Sequence, residues 1–130
     1  MMNQKTVLSI IENSASKDSS IDVIWLYGSR VKDTANKDSD FDIAIAFNTE
    51  KTQKCLTDFQ CDEIAFEWSE NTGATISIID INHIPVPLAY SVINEGKVFV
   101  CKHDLRLHSE QQRVWSLWES YRYEYKLHGK

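Results

Sequence analysis

A chain of 130 residues and 15.0 kDa holds one domain and little more. With 42% apolar and 25% charged residues it is globular rather than disordered or fibrous, and four Trp give it core material without disulfide staples. The net charge of −5 argues against a free-standing nucleic-acid binder. No apolar run approaches membrane-spanning length and no basic-then-apolar leader opens the chain, so a cytoplasmic protein is expected.

Residues 4–15 place Val7, Ile10 and Ile11 at helical spacing, which predicts a short amphipathic helix. Asp22 to Tyr27 is an apolar run of strand length stopped by Gly28. In the strand predicted for 41–47, Phe41, Ile43, Ile45 and Phe47 share one face. Asp42, Ala44 and Ala46 share the other, small enough for something to approach. Residues 52–71 set Cys55, Phe59 and Phe66 on one side and Cys61, Ile64, Ala65 and Trp68 on another, a mostly buried helix that Gly73 ends. Ala74 to Ile81 reads as a third strand. Pro87 opens a short helix that Gly96 terminates, and Lys97 to Cys101 is a candidate edge strand. From Asp104 to Leu127 there is no Gly or Pro, and Leu107, Gln111, Val114, Trp118, Tyr121 and Tyr125 recur at helical spacing. The expected order is α, β, α, β, α, β, α, (β), α. That is an α/β (α+β) domain over residues 1–103, with a C-terminal amphipathic helix over 104–130 belonging to the same domain.

Residues 1–100 carry 8 basic and 15 acidic side chains, residues 101–130 carry 6 and 4, and His103, His108 and His128 fall in the latter stretch. The basic tilt of that helix suits an acidic partner, or RNA held by a partner. Its aromatic stripe is expected to pack within the molecule, with a partner surface as the alternative. The histidines lack metal-ligand spacing. Three cysteines (Cys55, Cys61 and Cys101) without such spacing read as reduced core thiols.

The chemistry lies between residues 22 and 47. One strand delivers Gly28 and Ser29 at its exit, ten residues follow, and Asp40 and Asp42 enter the next strand. Alternation puts both carboxylates on one face, about 7 Å apart. Two like charges that close need a cation, and hard oxygen ligands suit Mg²⁺, which takes phosphate oxygens as further ligands. Gly28 lets backbone approach a phosphate, and Ser29 adds an N–H and a hydroxyl. Arg30 either leans on a triphosphate or pairs with a nearby acid, while Lys32 and Lys37 read as solvated loop charges. A phosphate cradle facing two metal-binding carboxylates is equipment for phosphoryl or nucleotidyl transfer.

The pattern G-S-x10-D-x-D between two strands resembles the signature of the nucleotidyltransferase superfamily related to polymerase beta. GSR, SDFDIAIAF and ISIIDINHIP…INEGKVFV extend the resemblance over roughly residues 5–103, to the minimal nucleotidyltransferase (MNT) antitoxins paired with HEPN toxins. The resemblance implies a small mixed sheet covered by helices, with Mg²⁺ as cofactor and ATP as co-substrate. It further implies transfer of AMP to a tyrosine of a cognate HEPN ribonuclease, which that transfer silences; charge and run length add the expectation of no membrane and no direct nucleic-acid contact. On that likeness Asp40 and Asp42 are the catalytic and metal residues, and Gly28, Ser29 and Arg30 the nucleotide-binding ones. The family's third carboxylate aligns with Ser77 here. Asp80 is either a turn acid before Asn82 or is turned into the site by a bulge. An antitoxin that acts by binding alone, and an enzyme nucleotidylating a small molecule, remain alternatives.

Overall fold

The structure, a computed structural model, describes residues 3–32, 39–48 and 57–128. The elements are α1 (Gln4–Ser16), β1 (Ile21–Tyr27), a single 3₁₀ turn (Gly28–Arg30), β2 (Phe41–Phe47), α2 (Thr57–Thr72), β3 (Ile76–Asp80), α3 (Val86–Glu95), β4 (Lys97–Cys101) and α4 (Asp104–His128). Between β1 and β2, where the sequence suggests a helix, the described residues form only that 3₁₀ turn. Lys37 and Cys55, and the side chains of Phe59 and His128, lie outside the description.

One mixed sheet has the order β3-β2-β1-β4, with β2 and β3 parallel and the other pairs antiparallel. β1 is buried on both faces, as the apolar run Val23–Leu26 requires. Ile24, Leu26, Phe41, Ile43, Ile45 and Phe47 form one core with Val7, Ile11 and Ala15 of α1 and Cys61, Ile64 and Trp68 of α2. Val23, Trp25, Ala44 and Ala46 form the other, with Ala89 and Val92 of α3 and Val114 of α4. The small face of β2 is therefore explained by packing: Ala44 pairs with Trp25, a fully buried ring that needs a small neighbour.

The ends of the helices follow local chemistry. Asn3 caps α1 by accepting a 2.9 Å hydrogen bond from the Thr6 amide. Its far end is closed by Lys102, whose Nζ donates to the carbonyls of Ala15 and Asp18 at 2.7 Å each. Gly73 ends α2 with φ +74, the left-handed conformation glycine adopts without strain. Phe66 corrects the mostly buried reading of α2, for it is 69% exposed while Cys61, Ile64 and Trp68 fill the core. Cys101 is likewise no core thiol. It is exposed on edge strand β4, with Sγ 3.5 Å from Oδ1 of Asp104, and desolvation and that carboxylate push its pKa up.

The first half of α4 is fastened by buried charges. Arg106 donates to Asp22 (3.2 Å), to the Phe47 carbonyl (2.8 Å), to Asn82 (2.9 Å) and to Glu110 (3.0 Å). Arg113 donates to Glu110 at 2.7 Å and to the carbonyl of Ile81 at 3.2 Å, and Asn82 donates to both Glu110 oxygens. Lys102, Arg106 and Arg113 are thus consumed inside the molecule, so the basic tilt of the C-terminal stretch is largely structural. The aromatic stripe divides. Trp118 stacks on Tyr90 of α3 at 4.4 Å and Tyr121 stacks on Trp118 at 5.6 Å, whereas Tyr125 is 61% exposed. No helix among the described residues is long and apolar enough to cross a membrane.

Burial alone would raise the pKa of Glu110, but hydrogen bonds from Arg113 and Asn82 and the charges of both arginines hold it below its ordinary 4.5. A depressed carboxylate stabilises the fold above its unfolded-state pKa and loses that contribution as pH falls through the folded-state one. Urea midpoints measured from neutral pH down to about pH 3 should therefore fall below pH 4.5, and less steeply for Glu110→Gln. Arg106→Met leaves Asp22 and Glu110 short of a cation and should cost about 3 kcal/mol at neutral pH.

Candidate active site

The register of two strands builds the site. Tyr27, last residue of β1, pairs with Asp42 of β2, and Asp42 pairs on its other side with Ser77 of β3. The chain leaves β1 through Gly28 at φ +79, and the amides of Val31 and Lys32 close the turn on the carbonyls of Gly28 and Ser29. A Cβ at position 28 would lie 2.5 Å from Oδ2 of Asp42. Only glycine accommodates both the backbone conformation and the neighbouring carboxylate. Ser29 is half-buried beside it.

Asp40 is exposed just before β2, and Asp42 is half-exposed within it. Desolvation raises the pKa of Asp42, and the Asp40 charge raises it further, so the two carboxylates lie close enough to repel. Tyr27 feels the same field: burial and then the Asp42 charge push its phenol up to about 12. Nothing local in the sequence marks Tyr27 as more than a strand residue; its place opposite Asp42 follows from strand pairing.

A pair of carboxylates that repel each other, beside a cradle that a Cβ would fill, fits a divalent cation with phosphate oxygens as co-ligands. Among the described residues no cluster of three or more His, Cys, Asp or Glu could hold a metal. Asp80 does not join. It is buried, accepts from the Asn82 amide at 2.9 Å and lies 2.9 Å from Nδ1 of His83, so it is the turn acid, and β3 shows no bulge. Ser77, exposed on β3, pairs with Asp42.

Lys32 is not merely solvated, since it pairs with Glu95 of α3 at 3.0 Å on the surface. Among the described residues Arg30 pairs with no acid: Nη2 donates to the Ser39 carbonyl at 2.7 Å and the guanidinium lies 4.1 Å from the centre of the Phe41 ring. Two surface cavities, of about 530 Å³ between α1 and α2 and about 330 Å³ between α3 and the end of α4, lie away from these residues.

The family model for polymerase beta, nucleotidyltransferase matches residues 9–105. No curated protein matches the chain significantly. Among solved structures, a toxin-antitoxin crystallised with AMP-PNP matches at TM-score 0.76 and 19% identity, over 93% of this chain and 93% of that one. A chain of tri-AMPylated Shewanella oneidensis HEPN toxin in complex with MNT antitoxin matches at 0.72 and 18%, over 97% and 94%. A mutant MntA-HpeT toxin-antitoxin with two Asp→Glu substitutions two positions apart matches at 0.75 and 16%, over 97% and 94%. These likenesses establish a shared fold.

Gly28→Ala should force Asp42 aside and strain the turn, so calorimetric titration with ATP and Mg²⁺ should show binding lost. Ser29→Ala removes one hydroxyl and keeps the backbone amides, and should weaken binding only about fivefold.

Proposed function

The chain belongs to the polymerase beta nucleotidyltransferase family, and from that membership we propose that it is a protein adenylylyltransferase acting as the antitoxin of a two-protein system. It transfers AMP from ATP to a tyrosine of a HEPN ribonuclease, which the modification silences, and it works in the cytoplasm with Mg²⁺. The observation that carries this reading is the meeting of Gly28 with the paired Asp40 and Asp42 at one end of the sheet. Further support comes from the fold shared with chains of complexes described as AMPylated HEPN toxin and MNT antitoxin.

Asp40 and Asp42 would hold Mg²⁺, which when bound neutralises charge on the phosphates. Gly28 and Ser29 receive the outer phosphates of ATP, their backbone amides and the Ser29 hydroxyl acting as donors. The acceptor phenol oxygen forms a bond to the α-phosphorus as the bond from that phosphorus to the pyrophosphate oxygen breaks. The phenol proton leaves with pyrophosphate, and AMP stays on tyrosine as a phosphodiester. The chain's own contribution is positioning and electrostatics, the general pattern for transfer at phosphorus. The exposed Trp115, Tyr123, Tyr125 and Leu127 of α4 favour a second reading, silencing by occlusion.

Intact mass of the toxin separates the two. On incubation with this protein, ATP and Mg²⁺, it should rise in whole adenylate steps, and the toxin should stay inactive after the antitoxin is stripped away. Asp40→Asn with Asp42→Asn should abolish the shift without lowering the melting temperature. An unmodified toxin that regains activity on separation would establish occlusion instead.

A further inference from the structure

Arg30 grips both sequence neighbours of Asp40. Its Nη2 donates to the carbonyl of Ser39 at 2.7 Å, and its guanidinium lies over the Phe41 ring, 4.1 Å from the centroid. The Phe41 end of this grip is firm. The Phe41 ring is 2% exposed in the core, and its amide donates to the Thr75 carbonyl at 2.9 Å beside β3. Arg30 itself is held from the other side by the 3₁₀ turn that presents Gly28 and Ser29. The guanidinium therefore ties the phosphate-facing turn to the entry of β2 and touches the residues on either side of Asp40. Its Nε is buried, with no hydrogen-bond partner among the described residues. A charged donor spent on a backbone carbonyl and an aromatic face is strongly committed, each bond being stronger than a neutral one.

We propose that Arg30 is a positioning residue that sets Asp40 for the metal, and that it does not bind the nucleotide phosphates. The inference rests on the nucleotidyltransferase reading above, because it assigns Asp40 to a cation. Arg30 acts through Asp40 in the way that groups behind a metal ligand fix its orientation, and loss of such a group costs about tenfold or more in metal affinity.

Two measurements without nucleotide test this on the full chain. The first is amide hydrogen exchange by NMR: Arg30→Met should speed exchange at residues 39–42 about tenfold and leave the rest of β2 unchanged. The second is titration with Mn²⁺, followed by electron paramagnetic resonance as a stand-in for Mg²⁺. Arg30→Met should weaken Mn²⁺ binding about tenfold with no nucleotide present. Arg30→Gln keeps a donor for Ser39 and loses the charge, so it should fall between the two, and it serves if Arg30→Met does not fold. Unchanged exchange and Mn²⁺ affinity, with a raised KM for ATP, would overturn the proposal and make Arg30 a nucleotide ligand. Wild-type protein that binds no Mn²⁺ would overturn the active-site reading together with it.

Discussion

The register of β1 against β2 is the constraint from which the rest follows. With Tyr27 opposite Asp42, the turn that leaves β1 brings Gly28 against the Asp42 carboxylate, and Asp40 lies just beyond on the same stretch. The same register sends Ile43, Ile45 and Phe47 to the α1–α2 core and Ala44 and Ala46 to the α3–α4 core. A slip of one residue would turn Asp42 into a hydrophobic core and Ile43 out of it, at a cost no local rearrangement could offset. The pairing that gives the fold its two cores thus also aligns the candidate site, so site geometry is inherited from packing.

The two ends of the sheet treat charge in opposite ways. Where β1 exits, Asp40 and Asp42 stand together and the carboxylates repel. At the other end, Asp22, Glu110 and Asn82 are knitted to Arg106 and Arg113, each charge answered by a partner. A satisfied network in a low-dielectric setting fixes geometry, here the angle at which α4 crosses the sheet. Two like charges held close repel, and a cation that binds between them relieves that repulsion. The fold keeps these two devices apart, so the anchorage of α4 does not consume the groups available to a ligand.

Much of this was legible in the sequence. The alternation in FDIAIAF gave the two faces of β2, Gly73 and Pro87 marked helix boundaries, and the spacing from Gly28 to Asp42 named the residues that meet. What local reading missed depends on partners far along the chain. Arg106 looks like any surface arginine on a polar helix until Asp22, Phe47 and Asn82 are brought to it. Phe66 has the hydrophobicity of a core residue, yet the face of α2 that meets the sheet is set by Ile64 and Trp68. The Ala44 and Ala46 face suggested room for a ligand because the Trp25 ring that fills it arrives from another strand. Asp80 was the reverse case, since alternation from Ser77 already separated it from Asp42, and its bonds to Asn82 and His83 account for it.

The strand order β3-β2-β1-β4 has a consequence for how the chain is made. β1 precedes the other three strands in the chain, lies inside the sheet, and has one edge that β4, residues 97–101, covers. The C-terminal carbonyls of α1 wait for Lys102, and the Asp22 carboxylate waits for Arg106. On the ribosome, the first hundred residues therefore emerge with an apolar strand edge bare and an acid unanswered. Non-local contacts of this kind are slow to form and leave a nascent chain exposed to aggregation. The sheet edge is closed and its far end neutralised together, by β4 and by Lys102 and Arg106 just after it.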